Sequence, residues 1–129
     1  MAYLAPPVFV VKVFNRIALA TGMSGSVALT VRGRRSGQEQ TIPVIPVSVG
    51  GADYLVSTRG ESQWVKNVRA AGEVTVTSRK QSRTRPVTEV SVTDRAPVIA
   101  AYREKAGRTV ETYWKQLPDD ADHPVFRLA

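Results

Sequence analysis

The stretch Val31-Arg32-Gly33-Arg34-Arg35-Ser36-Gly37-Gln38 crowds three arginines and two glycines between two apolar, β-branched segments. Guanidinium forks match phosphate or carboxylate oxygens two at a time, and glycines let backbone N–H groups come close to a ligand. A hairpin corner built this way is a grip for a polyanion or, more plainly, a solvated basic turn that blunts a sheet edge. A second candidate, Ser57-Thr58-Arg59-Gly60, stands between a strand pattern and a helix start. Unpaired N–H groups and the helix dipole favour an anion there, although Glu61 in the same turn can satisfy that dipole itself. Trp64 and Asn67 follow, one helical turn apart. An indole can cover a flat ring while an amide bonds to its polar edge, and core packing with a capping amide is the plainer reading. Arg79, Lys80, Arg83 and Arg85 surround a further hairpin, either extending an anion-binding surface or simply aiding solubility. Tyr102 and Tyr113 are phenols able to donate a proton, or packing residues of a helix.

Much of the usual catalytic repertoire is missing. The chain has no cysteine, so a disulfide framework, a thiol nucleophile and a thiolate metal site are all excluded. Its one histidine, His123, leaves no multi-histidine metal site and makes a Ser-His-Asp triad a weak proposal. No metal ligand set and no catalytic side chain can be assigned. An enzyme with this composition takes its chemistry from a bound cofactor.

The net charge of +7 is unevenly spread. Residues 94 to 129 hold six basic side chains (Arg95, Arg103, Lys105, Arg108, Lys115, Arg127) and six acids (Asp94, Glu104, Glu111, Asp119, Asp120, Asp122). The excess therefore sits in residues 1 to 93, and the first 38 residues contain no acid at all. Such asymmetry implies an anionic partner: nucleic acid, a membrane surface or a phosphorylated small molecule.

At 129 residues the chain fits one domain, 1–129, large enough for a core of its own. Val8 to Ala20 is too short and too interrupted to span a membrane and lacks the features of a secretory signal, which points to the cytoplasm. Lys12, Asn15 and Arg16 recur there at helical spacing, predicting a helix with a narrow polar stripe that plugs a core or a dimer interface or, alternatively, lies against a membrane. Strands are predicted over Ser26 to Arg32, Glu39 to Val49 and Tyr54 to Thr58, with Pro43 and Pro46 marking an edge or a bulge. A helix follows, with Trp64, Val65, Val68 and Ala71 on one face, Ser62 as its cap and Gly72 closing it. Two further strands, Val74 to Ser78 and Arg83 to Val92, precede helices over Arg95 to Lys105, capped by Asp94, and Thr109 to Gln116. An apolar run from Val125 to Leu128 closes the chain. Mostly antiparallel strands with few long connections suggest a small barrel.

The order Arg32-Gly33-Arg34-Arg35-Ser36-Gly37-Gln38, then Ser57-Thr58-Arg59-Gly60, then Gln63-Trp64-Val65-Lys66-Asn67 resembles the deazaflavin-dependent nitroreductase family of actinobacteria. The similarity runs from Val27 to about Val76, with a weaker echo in His123-Pro124-Val125-Phe126-Arg127-Leu128. The resemblance implies an α+β split β-barrel with peripheral helices that binds coenzyme F420, a deazaflavin whose tail carries a phosphate and several glutamates. Carried over by position, Arg34 and Arg35, with Ser36 and Gly37 of the same turn, would hold that tail. Ser57, Thr58, Arg59 and Gly60 would line the deazaflavin and ribityl chain, and Gln63, Trp64 and Asn67 would flank the groove. Gln40 stands where members often carry a further arginine for the phosphate. Leu117 to His123 replaces the tyrosine-rich segment that lines the substrate pocket in some members.

The implied activity is hydride transfer from reduced deazaflavin to an electron-poor small molecule such as a quinone, enone or nitro compound. Related split barrels bind flavin mononucleotide (FMN) or haem. A non-catalytic carrier of flavin, deazaflavin or haem is therefore the alternative, and a homodimer is compatible with either. Nucleic-acid binding is a weaker third reading, because aromatic residues do not interleave with the basic clusters.

Overall fold

Two prolines mark where the sheet ends. The computed structural model describes residues 26–78 and 81–129, so the helix expected over residues 8–20 and the cations Arg79 and Lys80 lie outside the described residues. Seven strands form one antiparallel sheet: β1 (Val27–Arg32), β2 (Glu39–Val44), β3 (Val47–Val49), β4 (Ala52–Val56), β5 (Glu73–Ser78), β6 (Gln81–Glu89) and β7 (Val125–Leu128). Their spatial order is β2-β1-β5-β6-β7-β4-β3. The single strand expected from Glu39 to Val49 is thus two strands on opposite edges, interrupted at Ile45 and Pro46. Edges tolerate the missing proline N–H. Because two residues join the two edges, the sheet must curl until those edges approach at that corner. The result is a split β-barrel.

The long strand β6 links the halves of the barrel. Gln81 to Pro86 pair with β5, and Val87 to Glu89 pair with β7. Pro86 sits where the partner changes, a position at which a lost donor costs least.

Strands β4 and β7 bury both faces. Leu55, Phe126 and Leu128 point inward with Leu29, Val31 and Val74, while Val56 and Val125 point outward. The inner cluster is closed by helix α1 (Gln63–Ala71), whose Val65 and Val68 are fully buried. Each contributes about 1.5–3 kcal/mol by leaving water. The outer cluster is covered by α2 (Ala96–Ala106) and α3 (Arg108–Gln116) through Val98, Ile99, Tyr102, Val110 and Trp114.

The end of α1 matches the sequence expectation, and the helix starts depart from it. Gly72 closes α1 in the left-handed conformation, at φ 73°, donating its N–H to Val68 O at 2.8 Å. Ser62 occupies the capping position, but its buried hydroxyl bonds no backbone N–H of the helix. Asp94 caps nothing: it ends a short 3-10 turn and accepts a hydrogen bond from Ser91 Oγ, and α2 starts one residue later than expected. Ala71 is exposed, and Asn67 takes a buried place on α1 instead. Polar Asn67 tolerates burial because both the oxygen and the nitrogen of its amide are hydrogen-bonded, as described next.

Candidate functional site

The arginine turn folds on itself before it meets anything else. Gly33 N–H donates to Gln38 O at 2.7 Å, and Gly37 N–H donates back to Gly33 O at 3.0 Å. Gly37 takes φ 74°, a region that side chains with a Cβ avoid. At Gly33 the constraint is steric, since an added Cβ would lie 2.9 Å from the Gln38 carbonyl oxygen. Ser36 Oγ accepts from the Gln38 N–H at 3.1 Å, so its hydroxyl helps close the turn.

This turn is docked on α1 through one arginine. The Arg34 backbone N–H donates to Asn67 Oδ1 at 3.1 Å, and its Nη1 donates to the same oxygen at 2.8 Å. Arg34 Nη2 donates to Gln63 Oε1 at 3.0 Å. Asn67 in turn donates from Nδ2 to Gln40 Oε1 at 3.0 Å, reaching across to β2. Gln63 and Asn67 stand four residues apart on one helix face, which is why a single guanidinium reaches both. Arg34, Gln40, Gln63 and Asn67 are thereby brought together from three separate segments.

The acceptors of this network are neutral amides. Among the described residues, carboxylates engage other arginines: Arg69 with Glu61 and Glu89, Arg85 with Asp53, Arg95 with Glu89, and Arg103 with Glu111. Arg34 is therefore held in place without being neutralised, the arrangement an incoming anion requires. Arg32, Arg34, Arg35, Gly37 and Ala70 line a cleft of about 420 Å³ between the turn and the end of α1. A neighbouring hollow of about 190 Å³ reaches Gln63 and Asn67. Arg35 is exposed on its rim.

The Ser57 to Gly60 loop is shaped mainly by its own contacts. Ser57 is 1% exposed, and its hydroxyl donates to Gly60 O at 2.6 Å, so the side chain builds the loop and is turned away from solvent. Gly60 is buried at φ 82°. Thr58 and Arg59 are half-buried, so their side chains keep some exposed surface. Arg59 Nη2 donates to Tyr113 Oη at 2.7 Å, with its guanidinium 4.7 Å from the Tyr113 ring centre. This pairing joins the loop to α3, and nothing in the sequence spacing points to it. Trp64 is half-buried against the inner core, its ring centre 6.0 Å from that of Phe126.

Other ionisable groups near the site are structural. Arg69 bonds Glu61 at 2.5 and 2.8 Å and Glu89 at 2.7 Å twice, tying α1 to β6. The Arg69 contact holds the Glu61 carboxyl below its ordinary range. Burial, followed by the neighbouring Tyr113, pushes Tyr102 up to about 12, which makes it a poor proton donor and a packing residue. His123 is fully buried, stacked on Trp114 with ring centres 4.0 Å apart. Among the described residues no group of His, Asp or Glu could hold a metal ion.

The curled antiparallel sheet, the plugging helix and the basic cleft define a split β-barrel of the flavin-binding type. Solved structures with this fold include an F420H2-dependent reductase (FDR-A), with TM-score 0.62 and 23% identity over 81% of this chain and 94% of that one. A haem-binding protein from Mycobacterium smegmatis matches with TM-score 0.58 and 14% identity, over 97% of this chain and 52% of that one. HutZ, the haem storage protein from Vibrio cholerae, matches with TM-score 0.62 and 14% identity, over 94% and 87% of the two chains. A comparison with curated protein sequences finds no match. The model of the F420H2-dependent quinone reductase family matches residues 10–122, and the chain belongs to that family. It is an F420H2-dependent oxidoreductase, and its cofactor is coenzyme F420.

The residues present suit such a cofactor. An anionic tail needs cations left unneutralised, and the arginine turn supplies them over the cleft. Among the described residues no helix is long and apolar enough to cross a membrane.

Proposed function

We propose that the protein reduces an electron-poor small molecule of the quinone, enone or nitroaromatic class, holding the coenzyme's anionic tail in the cleft between the arginine turn and α1. The observation that carries this reading is Arg34, fixed at 2.8 and 3.0 Å by the amides of Asn67 and Gln63 while its charge stays free. When bound, the reduced coenzyme supplies a hydride, so the protein's own work is to bind, orient and exclude water. Arg34 and Arg35 take the tail phosphate and carboxylates. Thr58 and Arg59 line the ring and ribityl end, with the half-buried indole of Trp64 alongside. Tyr113 Oη accepts from Arg59, which ties α3 to the loop at the ring end of the groove.

A haem carrier is disfavoured, because the single histidine is fully buried with both ring nitrogens packed against carbonyl oxygens and is not presented to a haem iron. Fluorescence titration with coenzyme F420 tests the reading, followed by turnover with a benzoquinone, a cyclic enone and a nitroaromatic. Micromolar binding with oxidation of the reduced coenzyme by one of these acceptors is the expected result. Absence of binding at micromolar concentrations refutes the groove, and binding with no turnover on any acceptor leaves the carrier.

A further inference from the structure

His123 is the chain's only histidine and stands far from the arginine turn in sequence, yet it grips the loop at the other end of the proposed groove. Its Nδ1 lies 2.8 Å from Ser57 O and its Nε2 2.7 Å from Leu117 O, at the end of α3. The ring lies nearly flat on Trp114, the planes 11° apart. Ser57 is held from the other side as well, its N–H donating to Pro124 O at 2.9 Å. One residue of the loop is thus pinned at its amide by the backbone of Pro124 and at its carbonyl by the neighbouring imidazole.

We propose that His123 is a positioning residue that fixes the Ser57–Gly60 loop against α3, and so sets where the ring of the coenzyme sits. The inference rests on the reading that Thr58 and Arg59 line that ring. The same clamp controls the Arg59–Tyr113 contact, because it locks together the two segments that carry those residues. Both clamp contacts are hydrogen bonds only when both ring nitrogens carry hydrogen, since a neutral imidazole donates once and turns a lone pair toward the second carbonyl. The charged groups facing the ring from its neighbours are few. Arg95 bonds Ala121 O at 3.2 Å and His123 O at 3.4 Å and is paired with Glu89. Asp120 and Asp122 lie in the turn just before His123, Tyr113 precedes Trp114 on α3, and Arg103 lies over the Trp114 ring.

Two readouts test the clamp, one without coenzyme. In His123→Gln, which keeps one donating nitrogen but cannot span both carbonyls with a ring, backbone amide exchange at Thr58 to Ser62 should quicken roughly tenfold, about 1.4 kcal/mol of lost protection. Exchange in the β5–β6 hairpin should stay unchanged. With coenzyme, kcat should fall roughly tenfold through misplacement of the ring, while coenzyme affinity stays within about threefold because the tail grip is untouched. His123→Phe, which preserves the stack on Trp114, serves if the glutamine variant does not fold. Unchanged loop exchange in a folded variant overturns the clamp. So does a loss of kcat that merely follows the folded fraction. Altered loop exchange in a protein that binds no coenzyme upholds the clamp and removes the groove reading.

Discussion

Asn67 holds Arg34 twice with a single oxygen, accepting from its backbone N–H at 3.1 Å and from its guanidinium at 2.8 Å. One bond fixes the path of the turn and the other fixes the direction of the charge. Because Asn67 is buried and bonded onward to Gln40, neither can shift without disturbing β2. The amide thus separates two properties that a carboxylate would merge, namely placing a cation and neutralising it.

That separation yields a paired test. Asn67→Asp keeps both Arg34 contacts, since a carboxylate accepts from Arg34 at least as well, and gives up the donor to Gln40, but it cancels the charge offered to the coenzyme tail. Asn67→Ala frees the charge and loses its placement. Coenzyme affinity should fall about tenfold in Asn67→Ala and further in Asn67→Asp, with the order of melting temperatures reversed. Calorimetric titration alongside thermal melts reads both orders.

Arg35, exposed on the rim of the cleft, acts through charge alone. Arg35→Glu should weaken coenzyme binding at least tenfold and leave kcat at saturating coenzyme nearly intact. The deficit should shrink as salt is raised, because screening weakens both the native attraction and the introduced repulsion. Steady-state kinetics at two ionic strengths would show it, and a large fall in kcat with unchanged affinity would remove Arg35 from the tail site.

Gly33 tests the shape of the turn. In Gly33→Ala the new methyl meets the Gln38 carbonyl oxygen at 2.9 Å, so the hairpin must open where its own 2.7 Å hydrogen bond closes it. A stability loss of about 1–3 kcal/mol and a weaker grip on the coenzyme are expected together from denaturation and binding curves.

Acid should loosen the tie between α1 and β6. The Glu61 carboxyl is held below its ordinary value of 4.5 chiefly by its hydrogen bond to Arg69. A carboxyl depressed in the folded state contributes stability above its unfolded value and loses it as pH falls through its folded value. Urea midpoints should therefore decline as the pH is lowered through and below 4.5. Arg69→Gln should be less stable at neutral pH and show a shallower decline, and an identical acid limb in the variant would assign the effect elsewhere.

The sequence by itself determined the meander of strands, the position of α1 with Gly72 at its end, and the concentration of positive charge in the first part of the chain. These follow from period, turn chemistry and composition, all of which act over a few residues. The arginine turn was legible for the same reason, being a local cluster, and so was the order of three motifs along the chain. Whether Arg34 is a solvated corner or an oriented cation was decided only by the tertiary structure. Its partners are 29 and 33 residues away and meet it because β1, β2 and α1 pack around one core. The split of Glu39 to Val49 into two opposite edges was likewise hidden, since the curl of the sheet depends on every strand at once. The same distance in sequence hid the 66-residue reach from His123 to Ser57 and the 54-residue reach from Tyr113 to Arg59. Hydrogen bonds between distant segments leave no periodic trace, because each needs only one suitable atom at each end and a fold that brings them within 3 Å.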